Sequence, residues 1–128
     1  MDAQRTVYET LFLQGLAITV VTETTLLVLF VRVSLRDSAD ADPPLMHLLA
    51  CGLLCSGATL PYIWFVLPRY IHTRSVYVVV AECFAVLVEI GIIRLVLRLS
   101  WARSAVASLL CNLGSFGIGE LLKALRLW

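Results

Sequence analysis

Residues 76–97 read VYVVVAECFAVLVEIGIIRLVL, an apolar run interrupted only by Glu82, Cys83, Glu89, Gly91 and Arg94. As a helix at roughly 1.5 Å per residue, this run reaches a little over 30 Å, about the thickness of a bilayer's hydrocarbon core. Working outward, three further stretches meet the same requirement: residues 11–31, 45–66 and 104–122. The four together take up about two thirds of the chain, so the connections are too short to fold by themselves. Composition agrees: hydrophobic residues make up 60% and charged residues 15% of the 128, against about 45–50% and 25% in a soluble domain. Mean hydropathy is +0.91. In lipid every backbone polar group must be satisfied internally, and helices do this without closing a barrel. The expected fold is therefore all-α, an integral membrane four-helix bundle forming a single transmembrane domain over residues 1–128.

The first connection carries Asp37, Asp40 and Asp42 before Pro43-Pro44. Asp42 is expected to cap the second helix, with proline in its first turn. The aspartates lack the spacing and glycine of a calcium-binding loop and read as solvated. Ala39-Asp40-Ala41 mimics a signal-peptide cleavage site but follows a polar stretch, so the first span is expected to be retained. The second connection sets Arg69, His72 and Arg74 among Tyr62, Trp64, Tyr70 and Tyr77, the composition of a membrane-interface aromatic belt. The third reads as a tight turn around Trp101 and Arg103. Pro61, inside the second span, is expected to kink it.

An internal repeat organises these spans. Glu23 with Arg32-Val33-Ser34 corresponds to Glu89 with Arg98-Leu99-Ser100 at an offset of 66. Leu53-Leu54-Cys55-Ser56 corresponds to Leu109-Leu110-Cys111-Asn112 at an offset of 56. The difference falls in the acidic connection. The expected unit is a helical hairpin used twice in tandem, both copies entering the membrane in the same orientation, a parallel repeat.

An ionised carboxylate in hydrocarbon costs several kcal/mol, so acidic residues deep in a span face the bundle, find partners or take up a proton. Glu23, Glu82 and Glu89 qualify. Glu82 and Glu89 lie about 20° apart around one helix and form an acidic stripe. Arg94 and His47 are candidate cationic partners, and Ser56 and Asn112 candidate hydrogen-bond partners. Thr19, Thr22 and Thr24 are expected to satisfy Glu23 locally. Glu89, with Glu82 on its face, is expected to matter more than Glu23. A proton or cation site would use Glu23, Glu82, Glu89 and Asn112.

Small residues recur every four positions: Cys51, Cys55 and Thr59 in the second span, and Ala107, Cys111, Ser115 and Gly119 in the fourth. Such stripes let helix backbones approach closely and read as packing surfaces. His47, Cys51 and Cys55 fan over about 80° and 12 Å of helix, too far to bind one ion, so no metal site is expected. No catalytic motif occurs: no H-E-x-x-H, G-x-S-x-G, C-x-x-C or phosphate-binding glycine loop. No cofactor is expected, and a net charge of +1 excludes a nucleic-acid-binding field.

The expected function is a non-enzymatic accessory or scaffold subunit packing laterally in the bilayer with other membrane proteins or with itself. The alternative is a small carrier or channel subunit using the intramembrane glutamates as a proton or cation site. The stretch from Glu82 through Glu89, Trp101, Asn112 and Gly119 resembles small bacterial membrane proteins, which implies a bacterial inner membrane. Arg5, Arg69, Arg74, Lys123 and Arg126 outnumber Arg32, Arg36, Arg98 and Arg103 by one, which places both termini in the cytoplasm.

Overall fold

The computed structural model describes residues 2–38 and 42–127; Asp40 and the Ala39-Asp40-Ala41 stretch lie outside the described residues. Every regular element among these is helical. Helix α1 (Asp2–Leu29) runs on as a π turn, Phe30–Ser34. Helix α2 (Leu45–Pro61) continues as a π turn, Tyr62–Val66, and a 3-10 turn, Leu67–Arg69. Helices α3 (Arg74–Leu97) and α4 (Trp101–Ala124) complete the chain. Four helical stretches, Gln4–Ser34, Leu45–Arg69, Arg74–Leu97 and Trp101–Ala124, are long and apolar enough to cross a membrane.

The helices start and stop for local reasons. α1 begins ahead of its apolar run, where Arg5 Nε donates to Glu9 Oε1 one turn on at 2.9 Å and Thr10 Oγ1 bonds back to Thr6 O. Asp42 does not cap α2. Pro44 occupies the cap position with no side-chain bond, and Asp42 instead pairs with Arg32, whose Nη2 also donates to Pro43 O at 3.0 Å. A guanidinium at the end of α1 offers the carboxylate a charged partner, which outcompetes a neutral backbone N–H. The last turn also falls earlier than Trp101 and Arg103 suggest. Arg98 takes the left-handed conformation (φ 56°, ψ 26°) that ends α3. Ser100 then caps α4 by accepting from Arg103 N at 3.3 Å. Arg94 clasps this turn, donating to Leu99 O at 2.5 Å and lying 5.1 Å from the Trp101 ring centre.

Pro61 closes the regular part of α2, and the irregular turns after it free backbone carbonyls that two tyrosines satisfy. Tyr8 Oη donates to Trp64 O at 2.6 Å, and Tyr77 Oη donates to Ile63 O at 2.9 Å. The aromatic cluster of this end is thus a set of backbone partners from α1 and α3 as well as an interface belt.

α1 and α3 each pack against both α2 and α4, so the four helices form a ring with α1 diagonal to α3. The three residues between α3 and α4 span at most about 11 Å, much less than a helix length, so these neighbours run antiparallel. At the end where α1 and α3 finish, Leu27, Val31, Leu35, Leu48, Ile93, Leu97, Leu99 and Ala107 form a buried core. Close approach there depends on Gly52, where a Cβ would overlap the Thr24 side chain. Leu13, Val21, Val79, Leu87, Leu95 and Leu113 are exposed around the outside, the surface a bilayer would cover.

Candidate functional site

A polar layer crosses the middle of the bundle. Glu23 (4% exposed), Ser56, Thr59, Glu89 (1% exposed), Ser108 and Asn112 are all buried. Ser56 Oγ of α2 donates to Glu23 Oε2 at 2.7 Å, and Ser115 Oγ of α4 donates to Oε1 at 3.0 Å. Asn112 Nδ2 donates to Glu89 Oε2 at 2.5 Å, and Ser108 Oγ lies 3.3 Å from the same oxygen. Each carboxyl therefore rests on hydroxyl or amide donors from neighbouring helices, which ties the ring together across its middle. The Cys111 thiol donates to Glu23 O at 3.4 Å.

Two expectations about partners are corrected. Glu23 is not satisfied by Thr19, Thr22 or Thr24: its partners are Ser56 and Ser115, because α1 turns the carboxyl to the bundle axis while Thr24 Oγ1 is buried without a partner. Arg94 is engaged at the α3–α4 turn, and His47 is exposed, so neither pairs with a glutamate.

Above this layer, toward the end that carries Tyr8, Arg74 and Lys123, the helices part around a cavity of about 430 Å³. All four helices line it. Tyr8, Trp64 and Tyr77 stand near its mouth with Arg74, Glu120 and Lys123, and Glu23, Asn112 and Ser115 lie at depth. Lys123 Nζ pairs with Glu120 at 2.8 Å. Glu82 is half-buried on the wall, so the acidic stripe of α3 is divided between two spaces. Glu89 borders a second cavity, of about 10 Å³, together with Glu23, Leu27, Gly52, Cys55, Ile93 and Cys111. Glu23 is the wall common to both.

Of the packing residues, Cys51, Cys55, Ala107 and Cys111 are buried, while Ser115 and Gly119 line the large cavity. Cys83 is exposed and all four thiols are free. Ser108 escaped the sequence reading, although Ser104, Ser108 and Asn112 follow one another at four-residue intervals and so mark a polar face on α4.

The fold and the site define a class: an all-helical protein with four helices suited to crossing a membrane and a carboxyl-bearing polar layer inside. Comparison with protein-family models, curated proteins and solved structures finds no match to the chain.

Proposed function

We propose that this chain is a small non-enzymatic membrane carrier, or channel subunit, that takes a proton or small cation from one membrane face onto Glu23 and passes it to Glu89. The observation that carries this reading is the large cavity, which leads from one end of the bundle to Glu23 at mid-depth. With both termini cytoplasmic in a bacterial inner membrane, the cavity opens to the cytoplasm. Glu23 lies at the depth of the cavity, Glu82 adds a second carboxyl on its wall, and Asn112 holds Glu89 in place.

The two-hairpin repeat is part of this proposal. Glu23 takes its bond from Ser56 and Glu89 from Asn112, and these donors correspond at the offset of 56 that relates the two cysteine-containing tetrapeptides. Each hairpin thus contributes one carboxyl on its first helix and one donor on its second, which supports two equivalent half-sites.

A lateral accessory role is the second reading. It draws on Gly57 and Gly117, which are exposed with open space where a Cβ would stand, so a further helix could approach there closely. The purified protein in liposomes containing a pH-sensitive dye decides between them under an imposed potential. The carrier reading expects proton or cation flux that Glu23→Gln abolishes while the variant still inserts and folds. Equal flux in liposomes with and without protein would remove it and leave the accessory role.

A further inference from the structure

The small cavity behind Glu23 has a different character from the large one in front. Its volume of about 10 Å³ is close to the least that holds one water molecule. Glu89 Oε1 is buried with no hydrogen-bond partner, although the other oxygen of the same carboxyl is bonded by Asn112. A buried carboxyl oxygen left unbonded costs on the order of 1–3 kcal/mol or more. Glu89 and Glu23 both border the cavity, and the remaining wall is Leu27, Gly52, Cys55, Ile93 and Cys111. The wall is mainly apolar, and the groups it offers a single water are the Glu23 carboxyl of α1 and the unbonded Glu89 Oε1 of α3.

We propose that this cavity is a one-water site that bridges Glu23 and Glu89 and makes them a single proton-exchanging unit. The inference rests on the carrier reading for its purpose but not for its chemistry. When the Glu23 carboxyl gives up its hydrogen, that O–H bond breaks as a new one forms on the water oxygen. One of the water's other hydrogens passes to Glu89 Oε1, and the water is left neutral. No oxidant, reductant or metal enters. The titratable groups lining the site are Glu23 from α1, Cys55 from α2, Glu89 from α3 and Cys111 from α4, with Cys51 one turn before Cys55 on α2 and Glu82 on the far side of Glu23 in the large cavity.

The test is hydrogen–deuterium exchange at the carboxyls, followed by infrared spectroscopy of the full chain in detergent or lipid, with bands assigned through Glu23→Gln and Glu89→Gln. Cys55→Leu fills the small cavity without touching the large one. In the wild type the Glu89 band is expected to shift in D2O nearly as fast as the Glu23 band. In Cys55→Leu, exchange at Glu89 is expected to slow at least tenfold while Glu23 keeps its rate. If Cys55→Leu does not fold, Cys111→Met fills the same space from α4. Unchanged Glu89 exchange in the filled variant would overturn the proposal, as would a wild-type Glu89 already as slow as the filled variant, or no protonated carboxyl band in the wild type. Void-dependent exchange without flux in liposomes would remove the carrier reading and leave the water site standing.

Discussion

The two ends of the bundle use the same four helices yet solve opposite problems. Where α1 and α3 end, small residues meet neighbouring helices closely: Gly52 receives Thr24, and Cys51, Cys55, Ala107 and Cys111 are buried. The backbones close up, and Leu27, Val31, Ile93 and Leu97 fill the remaining space. At the other end the interior positions carry Tyr8, Trp64, Tyr77, Glu82 and Lys123, and α2 loses its regular form after Pro61. Bulky rings, charges and an irregular helix hold the four apart. Packing density in a lipid-facing bundle is set by side-chain size along the seam, because apolar character alone gives no preference for helix over lipid. The glutamates sit at the boundary, where the closed half begins.

Charge placement should break this comparison hardest. Glu89→Lys buries an ammonium against the Asn112 and Ser108 donors that served the carboxyl, at a cost of about 4 kcal/mol, and the bundle should not be recovered folded from mild detergent. Glu82→Lys, in the open half, should cost less than about 1 kcal/mol, and Glu89→Gln should be tolerated because its amide oxygen still accepts from Asn112. Thermal unfolding of the three variants in one detergent provides the ranking.

Side-chain truncation gives the next largest contrast. Ile93→Ala should lower stability by about 3 kcal/mol through loss of core contacts, whereas Val78→Ala, on the cavity wall, should lower it by less than about 1 kcal/mol. Similar losses at both positions would mean that the open end is as tightly packed as the closed one.

Adding a methyl group sharpens the comparison through opposite signs. Gly52→Ala should destabilise by about 2 kcal/mol, since the new Cβ overlaps Thr24 and both backbones would have to separate. Gly57→Ala meets open space and should stabilise by up to about 1 kcal/mol through helix propensity. The smallest effect concerns the open end itself: Tyr8→Phe and Tyr77→Phe each remove one bond to a carbonyl after Pro61 and should cost about 1 kcal/mol apiece. The loss should appear as faster amide exchange confined to residues 62–69.

The helical class was legible from residues 76–97 alone, because a run of that length and polarity has few other stable forms in lipid. The inward placement of Glu23, Glu89 and Asn112 followed from the cost of burying them anywhere else. The partners were less legible. The sequence marks Ser56 and Asn112 as candidate donors, but which carboxyl each meets, and the further bond from Ser115 to Glu23, depend on helix rotation and register that a linear pattern does not encode. The threonines beside Glu23 in sequence are closer along the chain but turn elsewhere, Thr19 to the large cavity and Thr24 against Gly52. Asp42 shows the same limit: its local pattern said helix cap, and the end of α1 offered Arg32. The division of the α3 stripe was equally hidden, because Glu82 and Glu89 share a face and differ only in whether the neighbouring helices have closed.

One measurement bears most directly on the central claim that the open half admits water to the polar layer from a single membrane face. Single cysteines would be placed at Thr19 and Ser115 on the cavity wall and at Leu27 and Ala107 in the closed half, in a chain whose native cysteines are replaced. A water-soluble, membrane-impermeant thiol reagent would then be applied separately to each face of sealed vesicles. The account predicts that positions 19 and 115 react from the face bearing the α2–α3 connection and from no other, and that 27 and 107 react from neither. Reaction at 27 or 107, or protection of 19 and 115 from both faces, would contradict it.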